Sequence, residues 1–195
     1  MRDLIRICMR NLSIDQMNYF VRASKAISYI LISFFLLMRI LDSHTWMMVT
    51  ALLNSIFLCI HFIFVNEVLL KLIRFCKDPI SFKCNRAFIK QNMENLWVTD
   101  TFKENESKMV LVTSGVIHLY MVTYNIVYLV RNNNFDNTIN TLLFVFHIAS
   151  LMVLGYLIGL NFDKEASIIM TFNAADVTLQ RNDKEYYERF CKWKR

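Results

Sequence analysis

Four apolar stretches dominate this chain, at 26–41, 46–65, 109–130 and 141–160. A helix rises about 1.5 Å per residue, so about 20 apolar residues cross the ~30 Å hydrocarbon core of a bilayer. The last three stretches meet that length. The first is shorter and carries Arg39 near its end, so it must borrow the flanking Tyr19, Phe20 and Val21. The pattern predicts an all-α polytopic membrane protein: four transmembrane helices with cytosolic helical extensions, forming a single membrane domain over 1–195. The 55% hydrophobic share lies above the ~45–50% of soluble domains. With only 3 Gly and 1 Pro, little in the chain breaks long helices.

Charge sets the expected orientation. Short loops kept in the cytoplasm are rich in Lys and Arg. Of the 22 such residues here, only Arg39 and Arg131 fall outside the N-terminal segment, the 66–108 loop and the 161–195 tail. These three segments are therefore expected in the cytosol, with both termini inside and the first span acting as signal and anchor together. In a soluble protein a net charge of +6 would point to nucleic acid. Here the basic residues flank membrane spans, and the expected partner is the lipid bilayer, with no nucleic acid. The sequons at Asn11-Leu12-Ser13 and Asn105-Glu106-Ser107 fall on the cytosolic side and are expected to stay unused. Five cysteines, an odd number with Cys59 inside a span, argue against a disulfide framework.

The segments between the spans carry their own patterns. The first residues, 1–24, read as an amphipathic helix with Leu4, Ile5, Cys8 and Met9 on one face. A tight turn at 42–45 makes the first two spans an antiparallel hairpin. Leu69, Leu72, Ile73 and Cys76 continue the second span at helical spacing, which predicts one long helix entering the cytosol until Asp78-Pro79 stops it. A second cytosolic helix is expected over 83–95. In the tail, 162–180 reads as helix and 183–194 as a separate short amphipathic helix.

Polar groups inside spans are costly and so informative. Asn54 and His61 lie two turns apart on one face of the second span, and His118 and Asn125 do the same in the third. The fourth carries His147 and Ser150. One reading is interhelical hydrogen bonding inside the bundle, worth about 0.6 kcal/mol per bond. The other is a polar ligand pocket or ion path. At ~1.5 Å per residue, His61, His118 and His147 sit on three levels ~6 Å apart, too far apart for ligands at ~2 Å from one zinc ion, so no metal site and no cofactor is expected. Gly155-Tyr-Leu-Ile-Gly159 is a small-xxx-small pattern that lets a second helix approach. Arg39 is placed to snorkel or to pair with Asp42. No nucleophile elbow, HExxH motif or phosphate loop occurs, and the chain is not expected to be an enzyme.

The fourth span and the tail, Leu142–Arg195, resemble the late part of an insect gustatory receptor. Lys164-Glu165-Ala166 follows the span, as an acidic-Ala pair follows the sixth helix of that family. Asp183-Lys-Glu-Tyr-Tyr-Glu-Arg-Phe190 stands where the family's acidic-x-x-Phe element would be. Ile117-His-Leu-Tyr120 and Tyr124 are similar to its fifth helix. The family's seventh helix, running from Thr-Tyr to Gln-Phe, has no counterpart, because Thr123-Tyr124 is followed by Val130-Arg131 where Gln-Phe would stand. The resemblance implies a fragment or truncated member covering the third to sixth of seven helices, in a plasma-membrane family of tetrameric, ligand-gated cation channels that serve taste. It implies homo- or hetero-tetrameric partners and a small tastant, a sugar or a bitter compound, held between the outer halves of the helices. The candidate ligand-binding residues are then Trp46, Thr50, Asn54, Tyr124, Asn125 and His147, aromatics with a few converging amides. The rival expectation is a freestanding four-helix scaffold or escort protein with no ligand of its own. Its partner would meet Leu69, Leu72 and Ile73, or Tyr187, Phe190 and Cys191.

Overall fold

The computed structural model describes residues 12–95, 106–131 and 138–193. They form helices and turns, with no strand among them: α1 Ile14–Ile40, α2 His44–Lys77, α3 Pro79–Asn95, α4 Glu106–Arg131 and α5 Thr138–Trp193. Among the described residues three helices are long and apolar enough to cross a membrane: α1, α2 and the Ile139–Asn182 part of α5. Within α4, Val116–Arg131 is apolar but shorter. Large apolar side chains stand on the outside of these helices, including Ile30, Leu53, Val127, Phe146, Met152 and Val153. Such a surface suits lipid contact rather than water.

Local signals explain the helix ends. Ser13 caps α1: its hydroxyl accepts from the Gln16 N–H at 3.1 Å, and the Gln16 side chain accepts from the Ser13 N–H at 2.8 Å. This reciprocal pair satisfies two of the donors that a helix start leaves open. From there α1 runs unbroken to Ile40, where the sequence pattern had suggested a separate helix ending at Ser24. Residues 1–11 lie outside the described part. The α1–α2 turn is tight, and Asp42 adopts φ 53°, a left-handed conformation that Asp tolerates better than most residues. α2 continues past the expected membrane boundary and ends at Lys77. Asp78 then accepts from the Ile80 N–H at 3.3 Å and from the Ser81 hydroxyl. With Pro79 at the first helical position, these contacts start α3, one turn earlier than the 83–95 helix expected. The tail forms no separate helix at 183: α5 is one helix of 56 residues, about 84 Å long. No Gly or Pro follows Gly159 to interrupt it.

The helices bury two apolar cores. In one, the start of α1 (Ile14, Met17, Val21), the end of α2 (Val65, Val68, Leu69, Leu72, Ile73, Cys76), α3 (Phe82, Ile89, Met93) and Ile168 of α5 pack together. The other lies towards the α1–α2 turn and gathers Ile32, Phe35, Met47, Ala51 and Met121, with Tyr29 and Tyr124 against it. Between the two cores the interior is polar. α3 closes the first core by running back along α2, and Asn92 near its end accepts from Asn18 Nδ2 of α1 at 2.7 Å. Arg86 joins α3 to α5 through a two-pronged ion pair with Asp176, at 2.5 and 3.0 Å. Lys71 of α2 donates to the Leu12 carbonyl ahead of α1.

Candidate functional site

The polar interior is built from side chains that face inward at successive turns of α1, α2, α4 and α5. Ser24 and Ser28 lie one turn apart on α1, and Asn54, Ser55 and His61 occupy the facing side of α2. The Ser28 hydroxyl donates to Asn54 Oδ1 at 2.5 Å. That contact fixes the Asn54 amide, so Nδ2 donates to His118 Nδ1 at 2.9 Å. His118 must then carry its proton on Nε2, which donates to the Ser55 hydroxyl at 3.1 Å. Ser55 in turn donates to the Ala51 carbonyl at 3.0 Å. The result is a directional chain of hydrogen bonds from α1 through α2 to α4 and back to α2. Asn54 and His118 are almost wholly buried (0% and 1% exposed), and satisfied chains of this kind hold a unique packing.

Two further histidines sit above and below this chain. His147 of α5 donates from Nδ1 to its own Leu143 carbonyl at 2.7 Å, which leaves Nε2 to accept from Asn125 Nδ2 at 3.4 Å. Asn125 Nδ2 also lies 3.4 Å from the Met47 carbonyl of α2. At the other end, His61 donates from Nδ1 to the Val21 carbonyl at 3.2 Å, beside the Ser24 hydroxyl. Each histidine thus bonds to an Asn, a Ser or a carbonyl on another helix or its own. Among the described residues no group of three or more His, Cys, Asp or Glu gathers in a way that could hold a metal ion.

A more exposed cluster caps the α1–α2 turn. The His44 ring stacks on Tyr128 with centroids 3.7 Å apart, and its Nε2 lies 3.4 Å from Asp42. Arg39 lies 3.9 Å from the same carboxylate and 4.8 Å above the Tyr124 ring. The expected Arg39–Asp42 pairing is present, together with a cation–π contact. Tyr120 stands 6.2 Å from Tyr124.

Of the six expected ligand-binding residues, Thr50, Asn54, Asn125 and His147 are buried, and Tyr124 is partly buried at the edge of the core near the α1–α2 turn. Asn125 and His147 meet each other, whereas Asn54 bonds to Ser28 and His118. Trp46 does not join them: it is 57% exposed, on the side of α2 turned away from the bundle. Thr50 bonds to the Trp46 carbonyl of its own helix at 2.6 Å. The three residues expected to form a scaffold's surface, Leu69, Leu72 and Ile73, are buried in the first core and are not open to a partner. The side chains of Tyr187, Phe190 and Cys191 lie outside the described part. Sequence reasoning missed Ser24, Ser28 and Ser55, the partners of the buried amide and imidazoles. Their only signal was spacing, since each falls a turn or two from the next inward polar residue. It also missed His44 and Tyr128.

Comparison with protein-family models, curated proteins and solved structures found no match.

Proposed function

We propose that the chain belongs to a chemosensory receptor of the gustatory kind, a ligand-gated cation channel. It crosses the plasma membrane four times, with both ends in the cytosol. The four apolar stretches supply the crossings, the third lying in α4, which is 26 residues long. The distribution of Lys and Arg supplies the orientation. In this orientation the Arg39–Asp42–His44–Tyr124–Tyr128 cluster faces outward, and the Asn125–His147 pair lies just beneath it.

The observation that carries the reading is this meeting of an amide, an imidazole and aromatic rings from α2, α4 and α5. Such a mixture of flat apolar faces and a few convergent polar groups suits a sugar or a small bitter compound. Receptor subunits, of its own kind or others, are the proposed partners in a tetrameric channel.

His147→Ala tests the site. Co-expressed with receptor subunits and presented with a panel of sugars and bitter compounds, this variant is expected to lose its ligand response while its surface level stays that of the unchanged chain. An undiminished response would remove His147 from ligand contact.

A freestanding scaffold or escort protein is the second reading. One observation favours it: the buried amides and imidazoles already bond to one another, as they would in a bundle whose interior serves packing alone. Under that reading the panel gives no response, and the chain instead changes the surface level of a co-expressed membrane partner.

A further inference from the structure

Asn161 of α5 is a buried side chain (3% exposed) with an uneven set of contacts. Its Nδ2 gives both hydrogens to carbonyls, one to Phe62 of α2 at 3.0 Å and one to Leu157 at 3.1 Å. This fixes the amide orientation, because a flipped amide would set its oxygen against two carbonyl oxygens. The Oδ1 atom is then buried with no donor. On α2, Asn66 has the same defect: its Oδ1 is also buried and without a partner.

The two defects are neighbours. In a helix the N–H of residue 66 donates to the carbonyl of residue 62. Phe62's carbonyl therefore accepts from the Asn66 backbone and from the Asn161 side chain together. This contact sets Asn161 against the turn of α2 that runs from Phe62 to Asn66, at one level of the α2–α5 interface. An acceptor left dry and unpaired is costly, and this joint carries two of them.

We propose that this joint is a hydration site, in which one water molecule donates one hydrogen to Asn66 Oδ1 and the other to Asn161 Oδ1. A water molecule carries two O–H donors, one for each orphaned oxygen, and buried waters characteristically sit on such groups. A cation would require a larger ring of oxygens than this pair supplies. The site lies between the polar interior and the α1–α2–α3–α5 core, where both helices leave their apolar stretches. It seals the interface with a wet contact at the point where lipid packing ends.

Magnetic-resonance transfer from water to side-chain amides tests this on the full chain in lipid vesicles. Asn54 serves as the internal dry reference, since it is equally buried but bonded to Ser28 and His118. The Asn161 side chain is expected to receive magnetisation from water well above the Asn54 level. In Asn66→Ala the excess is lost, falling to that level, whereas Asn66→Ser, which retains an acceptor, keeps it. An Asn161 signal as dry as Asn54 in the unchanged chain would overturn the proposal. So would an excess that survives Asn66→Ala, because the water would then not be shared.

Discussion

Asn54 is the residue on which the interior turns. It accepts from Ser28 of α1 and donates to His118 of α4, so one side chain ties three helices. Asn54→Leu leaves the Ser28 hydroxyl and His118 Nδ1 without that partner. Buried groups left unpaired cost about 1–3 kcal/mol each, whereas a single interhelical bond in a membrane averages about 0.6 kcal/mol. The first effect dominates, because both partners are fully enclosed. The variant is expected to lose roughly 2–6 kcal/mol in reversible unfolding in mild detergent. A loss of a few tenths would mean that water or a rotated partner takes the place of the amide. The intramembrane Asn and His residues were legible in the sequence, because a polar residue in an apolar stretch stands out. Their partners were not legible. Pairing depends on how each helix is rotated about its axis, and serines give little signal since they also bond within their own helix. Trp46 was misplaced for the same reason: its rotation about the α2 axis turns it outward.

At the scale of elements, boundaries follow local chemistry and joints follow cross-links. The Ser81 hydroxyl, helped by the Ile80 and Ser81 N–H groups, holds the exposed Asp78 carboxyl below its ordinary pKa. A carboxyl depressed in the folded state stabilises it above its unfolded pKa, and that contribution fades as pH falls through the depressed value. The start of α3 is therefore expected to fray on acidification below the ordinary carboxylate range. Ser81→Ala should move the Asp78 titration, followed by the carboxyl chemical shift, up towards the ordinary value. An unmoved titration would dismiss the Ser81 contact. The Arg86–Asp176 pair is two-pronged but half open to water on the Arg side. Exposed pairs yield about 0.2–1 kcal/mol, and bidentate geometry favours the upper end of that range. A double-mutant cycle with Arg86→Ala and Asp176→Ala should report coupling of about 0.5–1 kcal/mol. Zero coupling would show that the α3–α5 joint rests on the apolar core alone. The long α2 and its stop at Asp78-Pro79 were readable from periodicity and from Pro. The unbroken α1 and α5 were not, since changes in polarity along a helix resemble its end when no partner is in view. The Ser13–Gln16 capping box was a readable start signal for α1.

On the scale of the whole molecule, the described helices divide into a core near the α1–α2 turn, a polar middle and the first core, closed by α3. The apolar stretches made the all-helical class and the long apolar helices legible. The first core was less so: Leu69, Leu72 and Ile73 read as an exposed stripe, and only the return of α3 and the continuation of α5 bury them. The proposed four crossings would place both chain ends on one side of the membrane, and the Lys and Arg distribution favours the cytosol as that side. The direct measurement is the accessibility of epitope tags placed at residues 1 and 195 in intact cells, against the same cells made permeable. Both tags are expected to be hidden from antibody until permeabilisation. A tag that stains on intact cells, at either end, would contradict an even number of crossings with both ends inside.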